Sequence, residues 1–207
     1  MKPTAAGVKA TYTDGARRLA TRSISSLART RLTPSMLTAA GVSLCILASV
    51  VVYFEYRNEW LLFWAGSIVF AIGSILDILD GALARAGGKA TQFGAFLDST
   101  TDRIGEAFML GAIAEALVRD GNETAFLFTF AALAGSFLVS YTRSKAEALG
   151  LRGDIGIGSR AERVVVICIG LALAPWGGLQ WAVYLLAATA WVTVGQRVWF
   201  VRRQLRD

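Results

Sequence analysis

Four aspartates stand in two pairs along a short part of the chain. Asp77 and Asp80 are three residues apart, and Asp98 and Asp102 are four apart. Both spacings place the two carboxylates of a pair on one face of a helix. The short segment 86–91 predicts that these two helices run antiparallel as neighbours, so that all four carboxylates converge. A cluster of carboxylates persists only where cations neutralise it, and oxygen-only ligands select Mg²⁺, Mn²⁺ or Ca²⁺. The pattern therefore predicts a divalent metal site.

Other residue types narrow the chemistry further. The chain contains no histidine, which excludes histidine general bases, Ser-His-Asp triads and His-ligated zinc. The two cysteines, Cys45 and Cys168, lie in apolar runs and are interpreted as packing residues rather than disulfide partners or metal ligands. The chemistry must therefore use carboxylates, Lys or Arg, hydroxyls and a hard metal. A phosphate substrate would favour Mg²⁺ or Mn²⁺ over Ca²⁺.

The composition predicts an all-α integral membrane protein. The chain has 207 residues, of which 55% are hydrophobic, and its mean hydropathy is +0.51. Six apolar runs reach or approach the ~20 residues that cross a ~30 Å hydrocarbon layer. These six predicted transmembrane helices contain Leu37–Tyr53, Trp60–Leu76, Phe93–Leu117, Thr124–Tyr141, Val164–Pro175 and Trp181–Val201. The fifth run is short and is expected to begin upstream, near Gly158.

The membrane setting bears on the meaning of the aspartates. An aspartate deep in a bilayer costs ~2.5–3.5 kcal/mol, so four would cost on the order of 10 kcal/mol. The structural alternative is that they cap helices or pair with Arg85 and Arg103. Four aspartates at two helical spacings favour a functional site over that alternative.

Basic residues predict the orientation of the helices. They concentrate before the first apolar run, between the second and third, between the fourth and fifth, and at the end of the chain, whereas the opposite side carries only Arg57 and Arg119. This bias predicts a multi-pass protein of the cell membrane with both termini and the aspartates on the cytoplasmic side. The net charge of +6 is therefore attributed to the basic residues that set the membrane topology and contact anionic lipid, and not to nucleic-acid binding.

The chain is expected to form a single domain over 1–207. Residues 11–31 alternate apolar and basic side chains, which predicts an amphipathic helix at the inner membrane surface. The six-helix transmembrane core is expected to span 34–203.

The segment from Asp77 to Asp102 also matches a longer pattern. It reads Asp-x2-Asp-Gly-x2-Ala-Arg-x8-Gly-x3-Asp-x3-Asp with every gap intact. This pattern resembles the signature of the CDP-alcohol phosphatidyltransferases. The resemblance implies transfer of the lipid-bearing phosphate of a CDP-linked lipid to an alcohol, with release of CMP. It also implies a homodimer and a cofactor of Mg²⁺ or Mn²⁺, with two ions bound.

The resemblance implies roles for individual residues. The metal ligands would be Asp77, Asp80, Asp98 and Asp102, and Asp102 would also deprotonate the acceptor hydroxyl. The residues expected to hold the CDP group are Ser35, Met36, Leu37, Thr38, Gly81, Arg85 and Thr91.

Three arginines bear on the acceptor. Arg143, Arg163 and Arg197 come from three predicted helices at similar depth, and their convergence would form a cationic pocket for a phosphorylated alcohol. The sequence around them resembles the phosphatidylinositol phosphate synthases of actinobacteria and the archaetidylinositol phosphate synthases. That resemblance implies inositol 1-phosphate as acceptor, with CDP-diacylglycerol or an ether-lipid analogue as donor. Glycerol 3-phosphate would suit the same pocket.

Two other classes of protein compete with this interpretation. A cation transporter would distribute acidic residues through the depth of the bilayer, whereas here only Glu106 and Glu115 lie further along the third predicted helix. A non-catalytic scaffold would not need this spacing of aspartates. The sequence therefore favours the enzyme.

Overall fold

The computed structural model describes residues 34–86 and 91–206, and every long regular element within those ranges is a helix. The helices are α1 (Pro34–Tyr53), α2 (Glu59–Ala86), α3 (Gln92–Arg119), α4 (Glu123–Ala148), α5 (Arg160–Ala172) and α6 (Leu179–Gln204). Two short 3-10 turns, Glu55–Arg57 and Ala174–Trp176, join consecutive helices. The all-α prediction is confirmed. The interfacial helix predicted for 11–31 lies outside the described residues.

Local sequence sets several helix ends. Thr91 caps α3 by accepting a hydrogen bond from the Gly94 amide at 2.9 Å, and Asn122 caps α4 by accepting from the Ala125 amide at 3.0 Å. These side chains satisfy amides that have no partner within their helix. Gly121, with φ of 70°, ends the α3–α4 turn in the left-handed conformation that favours glycine. The resulting short turn makes α3 and α4 antiparallel neighbours.

The helices pack in two groups. Helix α1 packs against α2 and α3, while α4 packs against α6, and α3–α4, α2–α5 and α5–α6 contacts join the groups. The α1–α2 crossing is very close because both helices place glycine there. A Cβ added at Gly73 would lie 2.9 Å from the Gly41 carbonyl oxygen and 3.0 Å from Cys45 Sγ. This crossing lies one turn from Asp77 on α2 and so fixes the position of that carboxylate.

We expect Gly73→Ala to destabilise the protein by ~1–3 kcal/mol, because its methyl group would meet backbone that cannot move aside cheaply. The matched control is Gly111→Ala in α3, where an added Cβ meets nothing within 4 Å. Alanine is more stable than glycine in a helix interior, so the control should melt at or above the wild-type temperature. Thermal unfolding in detergent compares the two. Equal melting temperatures for both variants would contradict the close crossing.

Three of the described helices are long and apolar enough to cross a membrane by length and composition: Ser35–Tyr53, Glu59–Ala84 and Glu123–Ala148. The outward face of α2 carries a row of exposed isoleucines, Ile68, Ile72 and Ile75, as expected of a surface in contact with lipid. Helix α3 contains both Asp98 and Asp102 and further charged residues, and α5 has only 13 residues. The helix of the predicted fifth span, α5, begins at Arg160 and ends at Ala172.

Candidate active site

Three of the four aspartates converge between α2 and α3. Asp77 of α2 and Asp98 and Asp102 of α3 each offer a carboxylate oxygen, and these oxygens lie within 4.8 Å of one another. Asp77 is 4% exposed, and the other two are half-buried. Carboxylates held this close repel one another strongly in a partly buried site. The cluster therefore requires positive charge.

Asp80 lies beside this cluster and faces α1. The Thr38 hydroxyl donates a hydrogen bond to Asp80 Oδ2, which ties the start of α1 to the last turns of α2. Asp80 is 2% exposed, and its other oxygen, Oδ1, has no hydrogen-bond partner among the described residues. A buried carboxylate oxygen without a partner is costly. It is suited to bind a divalent cation.

Among the described side chains, the cation with the shortest contacts to the cluster is Arg160, the first residue of α5. Its Nη1 atom contacts Asp77 Oδ2 and lies 2.6 Å from Asp102 Oδ1. Arg103 lies further away, with its Nη1 atom 3.7 Å from Asp102 Oδ2, and it also donates to the Ser99 carbonyl. Arg160 thus joins α5 to both helices of the carboxylate cluster.

Small residues form the floor of the site. A Cβ added at Gly105 would lie 3.0 Å from Cys45 Cβ, so α1 and α3 approach closely one turn below Asp102. A small cavity of about 10 Å³ remains there and is bordered by Asp77, Asp102 and Arg160. Cys45 is buried and carries a free thiol, in keeping with a packing role. The floor is tightly packed, so ligands must approach from the helix ends.

A buried ion pair lies next to the cluster. Arg163 Nε is 2.6 Å from Glu106 Oε1, and its Nη2 is 2.9 Å from Oε2, which makes the pair bidentate. Arg163 Nη1 also donates to the Gly158 carbonyl at 2.8 Å. Both charged side chains are buried. This pair fixes the first turn of α5, and with it Arg160, relative to α3.

The three arginines expected to bind a phosphorylated acceptor surround the loop 149–159. Arg163 donates to Gly158, and Arg197 Nε donates to the Ile155 carbonyl at 2.8 Å. Arg143 lies at the other end of the loop, where a Cβ added at Gly153 would be 3.2 Å from its Cα. Arg143 is exposed and pairs with Glu147 at 2.8 Å, whereas Arg197 is buried and also donates to the Val139 carbonyl.

The residues expected to hold the CDP group lie at the same end of the helices. Ser35 and Met36 are exposed at the start of α1, whereas Leu37 and Thr38 are buried. Gly81 follows Asp80 on α2, Arg85 lies in the last turn of that helix, and Thr91 caps α3. Within this group, Thr38 donates a hydrogen bond to Asp80 of the site.

Two residues of the site were not assigned a role from the sequence. Glu106 stands four residues after Asp102, so helical spacing alone places it on the same face of α3. Arg160 stands three residues before Arg163 on α5. Arg160 contacts Asp77 and Asp102, whereas Arg163 contacts Glu106. No sequence rule decides which arginine contacts which carboxylate, since that depends on the packing of α5.

The donor set fits a divalent cation such as Mg²⁺ or Mn²⁺. It consists of carboxylate oxygens from two helices, together with the unpartnered Oδ1 atom of Asp80. Hard oxygen ligands without sulfur or imidazole are typical of these metals. The helices and the site together define a metal-dependent helical protein with its carboxylates near one end of the bundle.

Comparison with known proteins identifies the family. The model of the CDP-alcohol phosphatidyltransferases matches residues 31–195, and the chain belongs to that family. An archaetidylinositol phosphate synthase of Pyrococcus horikoshii is 40% identical over 87% of this chain and 89% of its own. A phosphatidylinositol phosphate synthase of Mycolicibacterium smegmatis is 38% identical over 84% of this chain and 79% of its own.

Solved structures agree with this assignment. The phosphatidylinositol phosphate synthase of Mycobacterium tuberculosis with CDP-DAG bound has a TM-score of 0.78 and 29% identity, covering 89% of this chain and 94% of that one. The same enzyme in complex with manganese and citrate has a TM-score of 0.77 and 30% identity, covering 88% of each chain. The protein is therefore a CDP-alcohol phosphatidyltransferase of phospholipid synthesis, and its cofactor is a divalent cation, Mg²⁺ or Mn²⁺.

Proposed function

We propose that this enzyme transfers the phosphatidyl or archaetidyl group of a CDP-linked lipid to inositol 1-phosphate and releases CMP. The observation that supports a phosphorylated acceptor is the set of three arginines, from three helices, around the loop 149–159. The relatives named above are synthases of inositol phosphate lipids. The arginines would suit glycerol 3-phosphate as well, so the relatives are what favour inositol 1-phosphate over it. No similarity found favours the cation transporter.

We assign the roles of the aspartates as follows. Asp77, Asp80, Asp98 and Asp102 hold the divalent cation, with two ions expected. When bound, the cation neutralises the diphosphate and helps to align it. Asp102 accepts the proton of the acceptor hydroxyl. The acceptor oxygen then bonds to the lipid-bearing phosphorus, the bond from that phosphorus to the CMP oxygen breaks, and CMP leaves with the bonding electrons.

The nucleotide end of the donor is assigned to residues at the same end of the bundle. The hydrogen bond from Thr38 to Asp80, which joins α1 to the cluster, supports this assignment. Exposed Ser35 and Met36 lie three and two residues before Thr38 and are accessible from the helix ends. Leu37, Gly81, Arg85 and Thr91 complete the proposed nucleotide site.

Arg143 is the most accessible of the three proposed acceptor ligands. Its guanidinium is exposed and its partner Glu147 lies in the same helix, so a phosphate can compete for it at little cost. Arg163 and Arg197 are buried and hydrogen-bonded to the loop. We propose that they contribute positive charge and shape the loop around the acceptor phosphate.

We expect an acceptor panel to release CMP fastest with inositol 1-phosphate. Purified full-length protein is supplied with CDP-diacylglycerol, Mn²⁺ and, in separate reactions, inositol 1-phosphate, glycerol 3-phosphate, inositol or serine. The cationic pocket predicts that both phosphorylated alcohols are preferred over the neutral ones. Fastest release with glycerol 3-phosphate would replace the proposed acceptor, and fastest release with free inositol or serine would contradict the pocket.

A matched pair of variants sharpens this test. Arg143→Gln should raise the KM for inositol 1-phosphate by about tenfold, since a hydrogen bond to a charged group contributes ~1.5–3 kcal/mol. Arg57→Gln is the control, because Arg57 is also exposed but lies in the 3-10 turn between α1 and α2, away from the loop 149–159. The KM for the CDP-linked lipid should not change in either variant.

We further propose that all six helices cross the cell membrane, with both termini and the aspartates on the cytoplasmic side. Tryptophans mark the opposite end: Trp60 and Trp176 pack edge to face with ring centroids 4.6 Å apart, as in the aromatic belt of a membrane interface. Charged residues of α3 form ion pairs, as in the Glu106–Arg163 and Glu115–Arg119 pairs. We propose one domain over 1–207, and the homodimer stays a prediction.

The orientation predicts which positions react with a membrane-impermeant maleimide on intact cells. Arg57→Cys lies at the tryptophan end and should be labelled, whereas Arg202→Cys near the end of α6 should be labelled only after lysis. The unsubstituted chain is the control, since its own cysteines are buried or half-buried. Labelling of Arg202→Cys on intact cells would overturn the proposed orientation.

A further inference from the structure

We propose that Arg160 is a positioning residue that acts as a resident counter-cation for the aspartate cluster and competes with the divalent metal. On this view Arg160 must withdraw from Asp77 and Asp102 before metal binds there. The inference rests on the proposed role of these aspartates as metal ligands.

The contacts of Arg160 support this role. One nitrogen atom, Nη1, touches Asp77 Oδ2 on α2 and lies 2.6 Å from Asp102 Oδ1 on α3. These two aspartates belong to the group of three whose oxygens lie within 4.8 Å. A single guanidinium therefore bridges the carboxylates of two helices. Without a cation at this position, their repulsion would push α2 and α3 apart.

A divalent cation would need the same oxygens. Mg²⁺ and Mn²⁺ bind carboxylates directly at short distance, so a guanidinium on Asp77 Oδ2 and Asp102 Oδ1 excludes a metal from those atoms. Of the arginines in α3 and α5, the other two, Arg103 and Arg163, do not take the place of Arg160 in this competition. Arg163 is held by both oxygens of Glu106, and Arg103 Nη1 is 3.7 Å from Asp102.

The surroundings of Arg160 allow it to leave without moving the helix. The Glu106–Arg163 pair holds the first turn of α5, and the Ser159 amide donates to Glu162 at 2.7 Å. The backbone is thus fixed while the Arg160 side chain is 29% exposed. A change of side-chain rotamer is enough to move its head group toward solvent. The displaced charge would stay near the mouth of the site, on the side where substrates enter.

A purely structural ion pair makes a different prediction. If Arg160 only holds α5 in place, removing it lowers stability and leaves metal affinity unchanged or weaker. If it competes with the metal, removing it lowers the stability of the metal-free protein and tightens metal binding. Only our proposal predicts that the stability of the metal-free protein falls while the affinity for metal rises.

The test measures Mn²⁺ binding by electron paramagnetic resonance on the full chain in nanodiscs, after metal removal with EDTA and without substrate. We expect Arg160→Gln to bind Mn²⁺ about tenfold more tightly than wild type, within the usual range of coupling between two ligands. Its melting temperature in EDTA should fall below that of wild type, and Mn²⁺ should raise it by more. The control, Arg152→Gln, should match wild type in both measurements.

The outcomes separate this inference from the proposed function. Wild-type affinity or weaker in Arg160→Gln would overturn the competition and leave the metal site intact, whereas no Mn²⁺ binding by wild type would overturn the metal site itself. If Arg160→Gln folds only with Mn²⁺ present, the release of Mn²⁺ into excess EDTA is timed instead. Slower release than from wild type supports the proposal, and equal or faster release overturns it.

Discussion

Asp102→Asn is expected to lower the rate of CMP release by at least ~10²–10⁴-fold, the range that a positioned general base contributes. Asparagine has nearly the same shape but cannot accept the proton of the acceptor hydroxyl. It also removes one carboxylate from the group that includes Asp77 and Asp98. The initial rate with CDP-diacylglycerol, Mn²⁺ and inositol 1-phosphate provides the measurement. Binding of Mn²⁺ to the same variant should weaken in parallel.

The matched control is Asp120→Asn, the same change in an exposed aspartate just beyond the other end of α3. The control therefore removes an equal charge outside the cluster and should leave the rate within about twofold of wild type. If Asp102→Asn retained most of its activity, the assignment of Asp102 as proton acceptor would be wrong.

Glu106→Gln is expected to destabilise the protein by ~3–5 kcal/mol, because it leaves Arg163 charged and buried without its partner. Both oxygens of Glu106 bind Arg163, at 2.6 and 2.9 Å, and both side chains are buried. Loss of this pair would also free the start of α5, and with it Arg160. Thermal unfolding in detergent, with Mn²⁺ and with EDTA, measures the effect.

Two further variants show whether this loss of stability comes from the buried ion pair. Glu147→Gln breaks an ion pair with Arg143 in which both side chains are more than half exposed, at 54% and 55%, and it should cost less than ~1 kcal/mol. The double variant Glu106→Leu with Arg163→Met replaces the buried pair by apolar side chains and should recover most of the stability. Its activity should stay low, because Arg163 would no longer supply charge near the acceptor. A mild effect of Glu106→Gln would contradict the buried pair.

The aspartate site shows which parts of the structure follow from local sequence. Spacings of three and four residues place each pair of carboxylates on one helix face. Helices α2 and α3 make few contacts with each other and both pack against α1, so the convergence of Asp77, Asp98 and Asp102 also depends on α1. The orientation of Asp80 toward Thr38 depends on the close crossing of α1 and α2. That crossing is set by Gly41 and Gly73, which are far from each other in the sequence.

The arginines show where sequence reasoning stops. Arg160 and Arg163 lie on the same helix near acidic residues of α3, and both were visible as charges at the start of the fifth span. Arg160 contacts Asp77 and Asp102, whereas Arg163 contacts Glu106. This division follows from the angle and depth of α5, which the capped start at Arg160 and the loop 149–159 determine together. Pairing of this kind depends on tertiary packing, which no local pattern encodes.

The most direct test of the central claim is the position of manganese in a crystal of this protein grown with Mn²⁺ and a CDP-linked lipid. Anomalous scattering at the manganese edge locates the ion without reference to activity. We predict a peak bounded by the carboxylates of Asp77, Asp98 and Asp102, with Asp80 adjacent. A peak elsewhere, or none between these side chains in a fully loaded crystal, would contradict the account.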